Sequence, residues 1–331
     1  MNKMSKVIAI VGPTASGKTG VGVRLAKNFD GEIVSADSRQ IYRGLDLGTG
    51  KDLLEYDGVR YHLIDIVDPG NDFSMFKWLE AARKAIEDIF SRGKMPIVVG
   101  GTGLYIQALT EGFELKCKDV ISTVVEKSLK VTNERSLDKL EMTAKGIGDN
   151  KYTREQLEGM TREKLQEILK ELDPELFEKI DKNNPHRLIR AIERAQEGTK
   201  AIKVKPDFEV LQIGLDWPRE ELYKRIDKRV DDRFDQGMLQ EVQTLLDKGV
   251  DPEWLMKLGL EYKHITQYLL SIMDMDDPEL EEKMYEGMKQ ELKFKSHQYA
   301  RRQLTWLRRF PETIWEDDYN KIEQLVKDYL K

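Results

Sequence analysis

One stretch near the start of the chain constrains its fold more than any other. It has the pattern G-x-x-x-x-G-K-[ST], and its residues are Gly12, Pro13, Thr14, Ala15, Ser16, Gly17, Lys18 and Thr19. An apolar run at 6–11 precedes it, and a segment at 19–26 that can continue as a helix follows it. In such a strand–loop–helix unit, backbone N–H groups and the helix N-terminus face an anion. Lys18 can then reach terminal phosphates, and the Thr19 hydroxyl can hold Mg²⁺. The stretch predicts a polyphosphate site without specifying the polyphosphate.

Short apolar runs alternate with helical patterns over the first part of the chain. Strands are predicted at 32–35, 61–67 and 95–99, and Ser74 is a suitable N-cap for a helix at 75–92. This alternation predicts an α/β fold in which the P-loop belongs to a doubly wound, mainly parallel sheet.

The chain divides into three predicted segments. Residues 1–111 form the first part of the P-loop core. Residues 112–200 are charged and favour helix, with few strand signals, and we interpret them as a helical insertion domain. Residues 201–331 complete the core, with strands at 210–216 and 313–315 and basic helices near the C-terminus.

Composition excludes several classes of protein. No apolar run exceeds the length of a strand, so we expect no membrane span, and no signal-peptide pattern precedes the first strand. A single cysteine, Cys117, excludes an internal disulfide and a multi-cysteine zinc site, which favours the reducing cytoplasm. The net charge of −6 argues against a general nucleic-acid binder, so any RNA contact requires a local basic face.

The buried strands bear on the choice between ATP and another phosphate ligand. An ATPase usually pairs its phosphate loop with a strand ending in an aspartate that holds the metal. Here the run 97–99 continues into Gly100, Gly101 and Thr102, and Asp65 is a weaker candidate because apolar residues follow it. This pattern favours a loop that holds a diphosphate over one that hydrolyses ATP.

Three residues are candidates for chemistry, and each has a structural alternative. Asp37 follows a strand at the sheet edge where open α/β folds bind ligands, so it is either a general base or a cap. Thr102 either caps the helix that starts beside it or faces the ligand. Arg229 lies in a helix with acidic neighbours that could pair with it.

Two basic groups are candidates for contact with an anionic partner. His186, Arg187 and Arg190 share a helix face that is either a binding site or simply solvated. A second tract is opposed only by Glu291. Its members are Lys289, Lys293, Lys295, His297, Arg301, Arg302, Arg308 and Arg309. Such an excess of positive charge in an otherwise acidic protein favours an anionic partner.

Five motifs in order along the chain, at 12–19, 35–42, 100–105, 181–190 and 298–306, together resemble the tRNA dimethylallyltransferase family. The resemblance implies transfer of a dimethylallyl group from dimethylallyl diphosphate to N6 of an adenosine. That adenosine, at position 37, is 3′-adjacent to the anticodon of a tRNA. The set of motifs is specific to the family, whereas the phosphate loop alone is shared with many kinases.

The resemblance also implies roles for individual residues. Asp37 matches the family's general base, Thr102 a residue near the substrate, and Arg229 an arginine that supports the diphosphate. The loop 12–19 matches the diphosphate site, with Thr19 as a ligand of Mg²⁺. The matched tRNA-contacting residues are Asp37, Ser38, Arg39, Gln40, His186, Arg187, Arg190, Arg301 and Arg302. The insertion corresponds to a helical domain that binds the anticodon stem-loop, and we expect a monomer.

The chain departs from the family's usual pattern at four places, which bear on tRNA contacts and substrate choice. His186 stands where glutamine is usual, His297 where arginine is usual, and Arg233 where methionine is common. Gly-Leu-Glu-Tyr at 259–262 replaces the more usual Ile-Gly-Tyr. The zinc finger of some eukaryotic members is absent, which indicates a bacterial type.

Three alternatives stay open at this point. The chain could be a P-loop kinase of a small molecule, a non-catalytic RNA-binding module, or an isopentenyltransferase that acts on a free nucleotide. The large insertion and the basic tract favour tRNA over a free nucleotide.

Overall fold

The computed structural model describes residues 5–117, 152–273 and 275–331. The chain forms two compact units. The first comprises the chain up to Gly112 and from Lys205 onward, and the second runs from Phe113 to Val204. The helical insertion was predicted at 112–200, and its residues 118–151 lie outside the described part.

The first unit contains the sheet and most of the helices. Its strands are β1 (Ser5–Val11), β2 (Gly31–Ser35), β3 (Tyr61–His62), β4 (Met95–Gly100), β7 (Phe208–Gly214) and β8 (Ile314–Trp315). Its first helices are α1 (Lys18–Asn28), a 3₁₀ turn (Leu53–Tyr56), α2 (Met75–Ser91), α3 (Gly103–Gln107) and a π-helical turn (Ala108–Gly112). After β7 follow α8 (Arg219–Asp235), α9 (Met238–Asp247), α10 (Pro252–Leu258), α11 (Leu260–Ile272), α12 (Pro278–Leu307) and α13 (Tyr319–Leu330).

The second unit contains β5 (Phe113–Cys117), α4 (Arg154–Glu158), α5 (Arg162–Leu172), α6 (Pro174–Lys179), α7 (Pro185–Gln196) and β6 (Thr199–Lys203). Its helices share an aliphatic core that includes Leu165, Leu169, Leu188 and Ile192. Strands β5 and β6 pair in antiparallel fashion, which the sequence did not predict. The two strands are short and far apart in sequence, so the signal for their pairing is not local.

The six-stranded sheet has the order β3-β2-β4-β1-β7-β8, and every pair in it is parallel. Alternate residues of each strand face opposite sides, so central strands are apolar on both. Ile8, Ile10 and Ile97 pack on one face together with Leu25 of α1 and Ile322 of α13. Helix α2 contacts β2 and β4. The predicted α/β fold is confirmed.

The third predicted strand, 61–67, is wrong in length, because β3 ends at His62. Leu63 and Asp65 have φ angles of 64° and 57°, which are incompatible with an extended strand. At this turn the Asp65 carboxylate pairs with the buried ammonium group of Lys51. Asp65 is therefore engaged in an ion pair, away from the end of a strand.

Glu32, near the start of β2, provides a test of stability. Its carboxylate is 5% exposed, accepts a hydrogen bond from Arg92 Nη2 at 2.8 Å and lies 2.7 Å from His62 Nε2. The bond from Arg92, above all, lowers the pKa of Glu32 to about 2. Because the folded pKa lies below the unfolded one, this stabilisation is complete above about pH 4.5 and is lost as the pH falls toward 2.

Glu32→Gln is therefore expected to lower the free energy of unfolding by about 1–3 kcal/mol at pH 7, and by less at pH 4. Urea denaturation at the two pH values measures the difference. The control is Glu80→Gln in the exposed pair with Lys84, where we expect no measurable loss at either pH. An equal loss at both pH values for Glu32→Gln would show that the ionised Glu32 carboxylate is not the source of the stabilisation.

Candidate active site

The phosphate loop connects β1 to α1 and leaves the start of the helix open. Gly17 occupies the N-cap position with φ 83°, a left-handed conformation that favours glycine, and no side chain caps the helix. The N–H groups of the first turn are therefore available to an anion. The predicted loop, 12–19, has the geometry of an anion site.

Side chains from distant elements hold the loop in place. Gln303 of α12 accepts a hydrogen bond from the Thr14 N–H at 2.8 Å and donates one to the Gly101 carbonyl at 3.0 Å. Trp217 Nε1 donates to the Ser16 carbonyl at 2.9 Å. Helix α12 and the segment before α8 thus fix the loop against the end of β4.

A cavity of about 310 Å³ opens beside the loop, within the first unit. Four parts of the first unit line it: the phosphate loop with the start of α1, the segment after β2, the segment that leads into the 3₁₀ turn, and helices α8 and α12. The lining residues, in chain order, are Thr14, Ala15, Gly17, Lys18, Thr19, Asp37, Arg39, Gln40, Thr49, Gly50, Asp52, Glu55, Arg225, Lys228, Arg229, Asp232, Tyr299 and Gln303. Many of these side chains are charged, which suits a phosphate ligand better than an apolar one.

Lys18 and Arg229 are two cations of the cavity wall whose charged forms are disfavoured by their surroundings. Lys18 donates to the Pro13 carbonyl at 3.2 Å, and among the described residues neither side chain has an ion pair. Burial lowers the pKa of Lys18 to about 8, and Asp37 opposes this effect. Burial and the nearby charge of Arg233 lower the pKa of Arg229 to about 9. The acidic neighbours considered as partners for Arg229 do not pair with it, and an anion in the cavity would relieve both cations.

Asp37 lies just past the end of β2 and lines the cavity. Its Oδ1 accepts a hydrogen bond from the Arg39 N–H at 2.9 Å, which is a local turn of the kind the cap interpretation predicted. In the described part of the chain, its second oxygen has no hydrogen-bond donor. One carboxylate oxygen therefore orients the side chain, and the other is free to accept a proton.

Thr102 does not line the cavity. Its Oγ1 accepts a hydrogen bond from the Ser38 N–H at 3.0 Å and caps no helix N–H group. It connects the end of β4 to the segment that carries Asp37. Thr102 is half-buried and holds Ser38, the residue next to Asp37, and its place near the substrate stays a prediction.

Sequence reasoning missed most of the cation cluster. Arg225, Arg229 and Arg233 are spaced i, i+4, i+8 on α8, a regularity that could have revealed a common face. Arg225 Nε donates to the Ala15 carbonyl at 2.8 Å. Arg233 is buried, and its Nη2 has no hydrogen-bond partner among the described residues.

Gly50 closes the cavity over these arginines. It has φ 64°, and a Cβ at this position would overlap Arg233 Nη2. Gln40 donates to the Gly50 carbonyl at 2.9 Å. Glu241 accepts hydrogen bonds from three N–H groups of the same loop, those of Asp46, Leu47 and Gly48. The loop between β2 and the 3₁₀ turn is thus held close to the cations.

Three neighbouring side chains of the predicted RNA-contacting set, Ser38, Arg39 and Gln40, are buried or half-buried. Arg39 is 9% exposed, and its guanidinium donates to Glu261 at 2.7 Å below the ring of Tyr299. Gln40 is half-buried. Ser38 is also half-buried, and it lines a second cavity of about 620 Å³ with Arg39 and Tyr299.

The basic tract on α12 is less one-sided than predicted, and the expectation that only Glu291 opposes it is wrong. Its cations pair with further acids: Lys289 and Lys293 with Asp231, His297 with Asp227, and Arg308 with Asp216. These partners come from α8 and from the segment that follows β7. Arg301 and Arg302 are exposed and, among the described residues, have no ion pair.

The other predicted RNA-contacting residues lie in the second unit. His186, Arg187 and Arg190 are exposed on α7, whose buried face carries Leu188 and Ile189. Arg187 lies 3.6 Å from Asp181, an exposed ion pair. Among the described residues, neither His186 nor Arg190 has an ion pair.

Matches to known proteins place this geometry in a family. A family model described as IPP transferase matches residues 40–310, and one described as isopentenyl transferase matches residues 5–61. The chain belongs to the IPP transferase family. The predicted resemblance is confirmed, and the chain is an enzyme of the tRNA dimethylallyltransferase type.

Relatives match over nearly the whole chain. The tRNA dimethylallyltransferase 2 of Shewanella sediminis is 41% identical over 310 residues, 93% of this chain and 90% of that protein. The tRNA dimethylallyltransferase of Thermomicrobium roseum is 40% identical over 327 residues, 96% of this chain and 88% of that protein.

Solved structures of family members have the same fold. The full-length tRNA isopentenylpyrophosphate transferase from Bacillus halodurans matches with a TM-score of 0.65 and 32% identity, covering 99% of this chain and 96% of that one. A eukaryotic dimethylallyltransferase acting on tRNA matches with a TM-score of 0.65 and 27% identity, covering 92% of this chain and 70% of that one.

Within the described residues, none of the helices combines the length and the apolar composition that a membrane span requires.

Proposed function

We propose that the enzyme transfers a dimethylallyl group from dimethylallyl diphosphate to N6 of the adenosine 3′-adjacent to the anticodon of a tRNA. The observation that carries this proposal is one cavity lined by Asp37, Lys18 and Arg229. Among the described residues, one Asp37 oxygen has no donor and the two cations have no ion pair. A base and an anion site within one cavity are what prenyl transfer from a diphosphate requires.

The proposed reaction breaks one bond and forms another. The exocyclic N6 attacks the allylic carbon, the C–O bond to the diphosphate breaks, and the N6 proton passes to Asp37. The departing diphosphate keeps the electron pair. Its growing negative charge is stabilised by the N–H groups of the phosphate loop, by Lys18 and by Arg229.

The residues of the site fit Mg²⁺ as a partner of the diphosphate. Among the described residues, no cluster of three carboxylate, histidine or cysteine side chains could hold a metal alone. Mg²⁺ usually binds through one or two protein groups together with phosphate oxygens and water. The Thr19 hydroxyl in the cavity wall would supply the protein ligand, and the ion would neutralise charge on the diphosphate.

Exposed basic residues support the proposal that the acceptor is a tRNA. We propose that Arg301 and Arg302 on α12, and His186, Arg187 and Arg190 on α7, contact the anticodon stem-loop. The adenine must leave its stack, which costs a few kcal/mol and is offset by contacts to the extruded base. We propose that the protein acts as a monomer in the cytoplasm and that residues 112–200 form the tRNA-binding domain.

The direct test is incubation of the enzyme with Mg²⁺, dimethylallyl diphosphate and tRNA that lacks the modification. Nucleoside mass spectrometry of the digested tRNA should detect N6-dimethylallyladenosine. A parallel reaction with adenosine monophosphate distinguishes the free-nucleotide alternative, and phosphate release from ATP distinguishes a kinase. Product on adenosine monophosphate without product on tRNA would replace the proposed acceptor.

Binding of tRNA should depend on the local basic patch of Arg301 and Arg302. Replacement of both with glutamine is expected to weaken tRNA binding. The slope of log K against log salt should become shallower by somewhat under one unit for each phosphate that the variant no longer neutralises. Salt titrations of binding measure this slope. Turnover of dimethylallyl diphosphate at saturating tRNA should change little.

The matched control for this pair is the replacement of Lys283 and Lys327 with glutamine. Both lysines are exposed, and Lys283 lies on the same helix about 27 Å from Arg301 at 1.5 Å per residue. Equal loss of affinity in both double variants would disprove the patch. No loss in either would favour the free-nucleotide acceptor.

A further inference from the structure

A buried ion triad of Glu261, Arg39 and Arg233 borders the cavity through Arg39 and takes no direct part in the proposed reaction. Glu261 is 5% exposed, and its carboxylate accepts a hydrogen bond from Arg39 Nη1 at 2.7 Å. Its other oxygen lies 3.9 Å from Arg233 Nη1. Arg233 is 4% exposed and lies 3.8 Å from Asp52. Two residues at which the chain departs from the usual family pattern, Arg233 and Glu261, thus face each other.

The triad carries two positive charges and one negative charge, and Asp52 beside Arg233 supplies a second negative charge. Without Glu261, the guanidinium groups of Arg39 and Arg233 would be buried near Lys18 and Arg229 with no close carboxylate for Arg39. Removing one member of a buried ion pair leaves an uncompensated charge, which is far more costly than removing the whole pair. Arg39 and Arg233, in turn, hold the pKa of the Glu261 carboxyl below its usual value against the effect of burial.

The triad reaches the proposed general base through one residue. The Arg39 side chain is held by Glu261 and lies under the Tyr299 ring, with 5.5 Å between the guanidinium carbon and the ring centroid. The backbone N–H of the same Arg39 donates to Asp37 Oδ1 at 2.9 Å. The same residue thus carries the contact to Glu261 on its side chain and the contact to Asp37 on its backbone, so the side-chain contact restricts the residue that orients the Asp37 carboxylate.

We propose that Glu261 is a positioning residue for prenyl transfer, which acts on Asp37 through Arg39 and is charge-matched by Arg233. This inference rests on the proposed function, because it assigns a role within that reaction. Because the proposed role is to orient the base, loss of Glu261 should slow the chemical step without weakening binding of the diphosphate.

The first variant is Glu261→Gln. Its kcat is expected to fall about 10- to 100-fold, because Asp37 loses its fixed orientation. The KM for dimethylallyl diphosphate should stay level or fall, since loss of a negative charge makes the cavity more attractive to an anion. A purely structural defect would instead raise KM and lower kcat together.

Two double variants test whether Glu261 acts on the reaction through Asp37 and whether Arg233 balances its charge. In an Asp37→Asn background, Glu261→Gln should lower the remaining rate by less than threefold, because both changes act on the same group. Adding Arg233→Met to Glu261→Gln removes the second buried guanidinium and should recover part of the about 6–10 °C in Tm that the single variant loses. Glu261→Asp, which keeps the charge but withdraws it from Arg39, gives a second measure of kcat if Glu261→Gln folds poorly.

The control is the exposed pair of Glu221 and Lys224 on α8, which lies 3.0 Å apart and does not line the cavity. Glu221→Gln and Lys224→Met should act additively on Tm and leave kcat unchanged. A kcat within threefold of wild type in both Glu261 variants would overturn the inference, as would full additivity with Asp37→Asn. Failure of the proposed function is distinct, because the wild-type enzyme would then form no product on tRNA.

Discussion

Replacement of Asp37 with alanine is expected to lower the single-turnover rate of dimethylallyl transfer by about 10²- to 10⁴-fold. The exocyclic amine of adenine is a poor nucleophile, so the step depends on a carboxylate that accepts its proton. Asp37 lines the cavity, Arg39 holds one of its oxygens, and the other has no donor within the described chain. Affinity for tRNA should change much less, because one carboxylate contributes little to a phosphate-dominated interface. Rapid-quench measurement with enzyme in excess over tRNA gives the rate.

Asp37→Asn is the matched variant for this experiment. Its amide oxygen can still accept the hydrogen bond from the Arg39 N–H, but it cannot take up a proton. A loss as large as that of Asp37→Ala would therefore identify proton transfer as the function of the residue. Rates within about threefold of wild type in both variants would remove Asp37 from the mechanism.

Replacement of Arg229 with methionine is expected to act in opposite directions on catalysis and stability. The value of kcat/KM for dimethylallyl diphosphate should fall by about 10²- to 10³-fold, because a fixed cation facing the leaving group is lost. Thermal stability without substrate should rise by a few degrees, since burial and Arg233 make the charge of Arg229 unfavourable in the folded protein. Steady-state kinetics and thermal denaturation without ligand measure the two effects.

Lys224→Met serves as the control on the same helix. Lys224 is exposed and paired with Glu221, so neither kcat/KM nor Tm should change appreciably. If Arg229→Met lost stability without ligand, Arg229 would have a structural role. If kcat/KM stayed within threefold of wild type, Arg229 would not support the diphosphate.

The structure explains why the two kinds of arginine on α8 differ. Arg229 faces the cavity with no ion pair among the described residues, whereas Arg233, one turn along, lies beside Glu261 and Asp52. A cation reserved for a ligand is unfavourable until the ligand binds. A cation with a buried counter-ion is a component of the folded core. The same residue type one turn apart thus lies in two different electrostatic environments.

Local sequence signals were sufficient to predict the phosphate loop, the parallel α/β sheet and the placement of Asp37 at the sheet edge. These signals are an apolar strand, a glycine-rich turn and a helix that follows directly. The predicted helix at 75–92 and the strand at 95–99 agree with α2 and β4 for the same reason.

The identity of the free charged side chains, by contrast, depends on packing between distant elements. The cations of α12 form one basic tract in the sequence, yet acids of α8 pair with Lys293, contact His297 and leave Arg301 and Arg302 exposed. Likewise, Asp65, just past the early end of β3, pairs with Lys51. Such ion pairs form only when helices and loops pack together, and a charge pattern along one helix carries no information about the partner that covers it.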